Sequence, residues 1–212
     1  MRKGIITTIG MIGAFVLLCV GFLGPWYVID ATGIMGADYH ARLFLTTMEL
    51  QAQGQSIFVS MRYTEAKTYA QNMNLNVESF AMIDTALYLS LFALLTGVLA
   101  VMFMSAFVFE KGKPRMMKLA GGGCAFLTFL LTLLPALYFM NTEFVENSSG
   151  FWFTLSFFGL KVSGGPGYAW YLMIVVAIIS VICAGSILLK KVPVSVVSVD
   201  PGEINDRRKD TS

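Results

Sequence analysis

Four stretches of the chain, residues 5–24, 86–109, 119–140 and 168–189, contain no Asp, Glu, Lys, Arg or His. An α-helix rises about 1.5 Å per residue, so about 20 apolar residues cross the roughly 30 Å hydrocarbon core of a bilayer. Each stretch meets that length. Backbone polar groups in lipid must find partners within the protein, which leaves helices or a closed barrel, and unbroken apolar runs favour helices. Charged residues make up 13% of the chain and the mean hydropathy is +0.70, against roughly 25% charged in a soluble domain. The 212 residues accommodate four spans and one modest lobe, with no separate large catalytic domain. A net charge of +2 is too small to call for a nucleic-acid partner.

The first stretch follows Arg2 and Lys3, as a signal peptide would. Its apolar run exceeds the roughly 7–15 residues of a secretory h-region, and Pro25-Trp26 stands where small residues would precede cleavage. Bulky Leu17 and Leu18 before Cys19 argue against a lipoprotein site. The helix is expected to be retained. Lys and Arg near span ends then set orientation. Eleven of them (2, 3, 111, 113, 115, 118, 190, 191, 207, 208 and 209) fall on one side, and four (Arg42, Arg62, Lys67 and Lys161) on the other. Both termini and the 110–118 loop are therefore expected in the cytoplasm, and loops 25–85 and 141–167 outside the cell membrane. The outer loops carry eight acids, for a net charge of −4. Residues 1–189 read as one membrane domain. Residues 190–212, mixed in charge with Pro193 and Pro201, read as a disordered cytoplasmic tail. Lys190-Lys191 reads as an anchor for the fourth helix at anionic headgroups.

The first outer loop is about sixty residues, too long for a bare connection. Trp26-Tyr27-Val28-Ile29 is aromatic and β-branched after the helix-ending Pro25. Residues 42–50 and 57–63 alternate with period two about Gln53-Gly54, which predicts an antiparallel hairpin. Residues 65–79 are expected to lead helically into the second span. In the second outer loop, 151–162 is strand-like, and Gly164-Gly165-Pro166-Gly167 is expected to break the chain before the fourth helix. Four strands would then form one small sheet on the bundle. Trp26, Phe151, Trp152, Phe153 and Phe157 are its candidate contact residues, with the interfacial aromatic belt as the plainer reading of Trp26, Trp152, Tyr168 and Trp170.

Pro25-Trp26-x-Val28 at the end of the first span, and Gly150-Phe151-Trp152-Phe153 followed by Leu155-Ser156-Phe157, carry a resemblance. With four helices, a long first and a short second outer loop, and both ends inside, the chain resembles the claudin-like tetraspan superfamily. That group includes claudins, the peripheral myelin protein 22 group and the calcium-channel γ-like subunits. The resemblance implies a left-handed four-helix bundle bearing a small extracytoplasmic antiparallel sheet, with Trp26 opening the first outer strand. The family's Gly-Leu-Trp and paired cysteines are absent from the first loop, so the resemblance implies the fold and not paracellular sealing.

Residues that do chemistry are sparse. Cys19, Cys124 and Cys183 lie inside predicted spans with no CxxC pair, and read as small apolar fillers. His40 is the lone histidine, near Asp38 and Tyr39, and reads as a solvated loop residue. No metal or cofactor is implied. Asp84, at the outer mouth of the second span, reads first as an N-terminal cap and second as a functional acid. Gly121, Gly122 and Gly123 lack the Lys-Ser/Thr of a phosphate loop and read as a close helix-packing surface. Pro135 is expected to kink the third span. Asn147-Ser148-Ser149 is a glycosylation sequon on the outward loop.

The leading expectation is a non-enzymatic tetraspan protein acting through contacts of its outer lobe, as an accessory subunit or a self-assembling adhesion or barrier element. Its partners would be the bilayer and other membrane proteins or copies of itself. The alternative is a small oligomeric channel or transporter, whose acidic outer face would draw cations.

Overall fold

The computed structural model describes residues 2–34, 37–53, 57–72, 78–109, 114–140, 151–157 and 159–190. The chain opens with helix α1 (Arg2–Leu23), followed by strands β1 (Tyr27–Ile34), β2 (Ala37–Leu43), β3 (Thr47–Gln53) and β4 (Ile57–Arg62). A short helix α2 (Tyr63–Asn72) and the long helices α3 (Glu78–Val108) and α4 (Pro114–Met140) come next. Strands β5 (Phe153–Phe157) and β6 (Leu160–Pro166) lead into α5 (Tyr168–Leu188).

Four of the helices contain segments long and apolar enough to cross a membrane: Gly4–Leu23, Ile83–Val108, Arg115–Tyr138 and Tyr168–Leu188. In the bundle α1 lies against α3 and α5, and α4 closes the ring between those two. Small side chains line the seams. Ala14, Ala86, Ala93, Ala100, Ala125, Ala136, Ala169 and Ala177 are all buried, which lets the helices approach closely. The outward faces stay apolar, with Ile6, Ile9, Phe92, Leu95, Met102 and Ile182 exposed. Thr128 ties α3 to α4, donating to Cys124 O at 2.9 Å while its Oγ1 lies 3.0 Å from that of Thr96. α4 continues as one helix past Pro135, and the buried Trp170 indole N–H on α5 reaches the Ala136 carbonyl at 2.9 Å.

The strands form one six-stranded antiparallel sheet in the order β4-β3-β2-β1-β6-β5. It stands at the bundle end where α1 stops and α5 starts. The first and second predicted loops therefore share a sheet, joined through the β1–β6 pair from Tyr27↔Pro166 to Thr32↔Lys161. Several expectations are corrected here. The 42–50 run is two strands, because Leu45 drops into the core at 2% exposure and breaks the alternation. Phe44 N–H then bonds Thr47 O at 2.9 Å to close the turn. The 151–162 run is a hairpin, turned at Gly159 with φ +83°, where other L-residues are strained. Gly164, Gly165 and Pro166 do not break the chain. They lie within β6, where the missing side chain of Gly164 leaves room for the Phe153 ring. The helix predicted over 65–79 is present as α2, and residues 73–77 lie outside the described residues. Residues 191–212, expected as a disordered tail, also lie outside them.

The glycines of α4 differ among themselves. A Cβ on Gly121 would meet Met104 on α3 at 3.1 Å, and one on Gly122 would meet Leu188 on α5 at 2.6 Å. Gly123 faces open space. The packing surface is thus Gly121 and Gly122, on opposite seams, because consecutive helical residues point about 100° apart and cannot all face one neighbour.

Candidate functional site

The register of the sheet sorts its residues onto two faces, since successive strand residues point to opposite sides. One face carries the rows Tyr27–Leu43–Met48–Met61 and Ile29–Ala41–Leu50–Val59, with Val162 and Leu155 across β6 and β5. The other carries Val28–Arg42–Glu49–Ser60 and Asp30–His40–Gln51, with Lys161 and Ser156 beyond. A sheet polar on one side and apolar on the other needs cover for the apolar side.

The base of the apolar face has cover. Trp26, Tyr27, Leu43, Leu45, Phe151 and Phe153 form one core with Ala14, Leu18, Ala169, Trp170 and Met173 of the helices. The polar atoms of this aromatic base are tied to backbone. Trp26 Nε1–H donates to Gly21 O at 3.1 Å, and Tyr27 O–H donates to Phe151 O at 2.7 Å. Trp26 thereby satisfies one of the end carbonyls of α1, and Tyr27 links the two predicted loops. Farther out one opposed pair is left bare. Leu50 and Val59, a directly opposed pair, are 37% and 42% exposed. Both outermost strands, β4 and β5, have a strand neighbour on one side only among the described residues, and such edges are templates for a further strand.

This arrangement redistributes the five candidate contact residues. Trp26, Phe151 and Phe153 lie at 0%, 5% and 4% exposure inside the fold, so their area is spent on the chain's own core. Trp152 is 52% exposed, its ring edge-on to Phe151 and Trp170 at 4.9 and 6.1 Å. Phe157 ends β5 on the outermost strand. The exposed Leu50–Val59 pair was not singled out by the sequence reading, although both residues lie in its period-two runs, and Leu50 shares the phase of Met48 on β3.

The remaining candidates are dispersed. α3 begins at Glu78, so Asp84 stands well inside the helix and does not cap it. Asn147 lies outside the described residues. Cys19, Cys124 and Cys183 are free thiols. His40 Nδ1 meets Asp30 Oδ1 at 2.7 Å across β1 and β2, on the polar face. With both side chains about a third to a half exposed, this pair contributes at most about 1 kcal/mol. Among the described residues no three His, Cys, Asp or Glu side chains converge as a metal-binding group.

Tyr27 makes a pH-dependent reporter of the junction. Burial pushes its phenol from 10.0 up to about 12, because the phenolate is poorly solvated there. A raised pKa stabilises the fold fully below the unfolded value and loses that stabilisation as pH climbs towards the folded one. The sheet-to-bundle junction is therefore expected to weaken between pH 10 and about 12. An ultraviolet difference titration of wild type against Tyr27→Phe checks this, with a phenolate step near 12 expected and a step near 10 contradicting it.

No protein-family model matches the chain, and no curated protein matches it.

Proposed function

We propose that this chain is a non-enzymatic tetraspan protein of the cell membrane, with both termini cytoplasmic, and that its outer sheet makes lateral protein contacts. Two observations support the membrane setting. The four long helices are apolar outward as well as inward, as lipid requires. Positions Arg2, Lys3, Arg115, Lys118 and Lys190 lie at the bundle end away from the sheet, as the positive-inside rule expects of a cytoplasmic end. The element order, four helices with one sheet built from a long and a short loop, supports kinship with the claudin-like group at the level of fold. Trp26, immediately before β1, is in keeping with a residue that opens the first outer strand.

The observation that carries the contact role is the Leu50–Val59 pair, exposed on the same face as the buried core, together with the strand edges of β4 and β5 that have no strand neighbour among the described residues. An apolar pair beside an open strand edge gains from a partner that supplies a strand and apolar side chains. That partner is another membrane protein or a second copy.

The test is the double variant Leu50→Ser with Val59→Ser, extracted from native membranes in mild detergent and sized with mass spectrometric composition. Loss of two apolar contacts is expected to weaken assembly at least about tenfold, leaving an inserted, uncomplexed chain. A complex of unchanged size and composition would contradict the contact role.

A further inference from the structure

At the bundle end away from the sheet, the first turns of α1 and the last turn of α5 enclose a groove of about 430 Å³. Gly4, Ile6 and Thr7 line it from α1, and Ser186, Leu189 and Lys190 from the α5 end. Its rim is apolar and bare: Ile6 is 69% exposed and Leu189 86%. Its inner end is cationic. The Lys190 ammonium is folded back over the bundle, 5.0 Å from the centre of the Phe107 ring. It sits so near α1 that a Cβ on Gly4 would touch it at 2.9 Å. Beside the groove, Lys118 donates from its own ammonium to the Lys190 carbonyl, which brings a second positive charge to the α5 end.

The partners shown for the two ammonium groups are neutral, a carbonyl for Lys118 and an aromatic ring for Lys190. Among the described residues no carboxylate pairs with Lys118 or Lys190, and Arg115 adds a further base at the start of α4. α1 and α4 begin at this end while α3 and α5 stop there, so the partial charges of the four helix termini offset one another and leave the lysine side chains as the net charge. A lysine free to extend into water would gain hydration, yet Lys190 is half-buried over an aromatic ring. An anion seated between Lys190, Lys118 and the Ser186 hydroxyl would satisfy the group where it stands.

We infer that this groove binds one anionic phospholipid, its phosphate held by Lys190 and Lys118 and its acyl chains lying along the exposed apolar strips of α1 and α5. The order of chemistry fixes the occupant. From the cationic end, exposed apolar side chains continue as Ile6 and Ile9 on α1 and, from the end of α5, as Leu189, Ile182 and Ile178. A phospholipid presents the same sequence, phosphate first and hydrocarbon after, whereas a free phosphate leaves the apolar rim without a function. The inference rests on the membrane placement proposed above.

The test uses the full chain, delipidated in mild detergent and examined by native mass spectrometry with phosphatidylglycerol or phosphatidylcholine. One phosphatidylglycerol is expected to be retained about fivefold better than phosphatidylcholine, the increment of one lysine near an anionic surface. Lys190→Gln should erase the preference. Ser186→Phe, which fills the groove and keeps the charge, should lower retention of the lipid. Arg42→Gln, on the sheet at the other end, should leave the preference intact. Equal retention of both lipids by the wild type, a preference surviving Lys190→Gln, or displacement of the lipid by equimolar inorganic phosphate would overturn the inference. Extraction of the same membranes with alkaline carbonate separates the two claims: release of the chain into the supernatant sinks the membrane placement, and retention with no lipid preference sinks the groove alone.

Discussion

Replacing Gly167 by Ala is expected to cost more than about 4 kcal/mol, in the range that marks a local structural failure. The reason is space, not conformation. Gly167 has φ −74° and ψ 169°, a backbone any residue adopts. A Cβ placed there would land on the Pro25 carbonyl oxygen, well inside contact distance, with the Trp26 carbonyl carbon close behind. Neither atom can step aside. The Gly167 N–H bonds Trp26 O at 2.9 Å, and the Ala169 N–H bonds that same Pro25 carbonyl at 3.2 Å. Here the chain passes from β6 into α5 directly beside the passage from α1 into β1. The substitution must push these two crossings apart and open both the β1–β6 pairing and the α1–α5 seam. Thermal unfolding of purified protein in detergent should show the transition lowered or lost for Gly167→Ala. Gly123→Ala, at a position facing open space, should unfold as the wild type does.

Trp26→Ala carries the second large effect, about 3–5 kcal/mol. The side chain is 0% exposed and packed where the sheet meets the bundle, so its removal leaves a cavity in the core. The same change strips the Gly21 carbonyl of its indole partner at 3.1 Å. Trp26→Phe separates the two losses. It keeps most of the packing and removes the hydrogen bond, so it should cost about 1–3 kcal/mol. Equal losses for Ala and Phe, measured by chemical denaturation followed by tryptophan fluorescence, would show that the hydrogen bond and not the volume holds the junction.

The four long apolar helices were legible because each shows in the sequence as a charge-free run of about the length that crosses a bilayer. The predicted and observed segments differ chiefly at α3, which begins at Glu78, ahead of the apolar run that marks the span. Helix facing was not legible. These helices carry apolar side chains on exposed and buried faces alike, so no stripe marks the buried face. That is why Gly121, Gly122 and Gly123 looked alike in sequence and separate only when Met104 and Leu188 are placed beside the first two.

The sheet was legible in kind and undercounted. Its extra turns depend on single residues whose burial is decided by tertiary packing: Leu45 sinking into the core, and Gly159 taking a positive φ. Glycines at 164 and 165 read as breakers because their use, room for the rings of Phe153 and Trp152, belongs to a neighbouring strand. Aromatic residues misled for a related reason. Trp26, Phe151 and Phe153 have the composition of a contact surface, and the chain buries them in the joint between its own two loops.

The proposed orientation sets the sheet outside the membrane and the Lys190 end inside. It is tested most directly by labelling single cysteines with a membrane-impermeant maleimide, in a background where Cys19, Cys124 and Cys183 are replaced by Ala. Thr154→Cys on the exposed edge strand β5 should label in intact cells. Arg115→Cys at the start of α4 should label only after the membrane is permeabilised. Labelling of Arg115→Cys in intact cells, with Thr154→Cys protected until permeabilisation, would contradict the account.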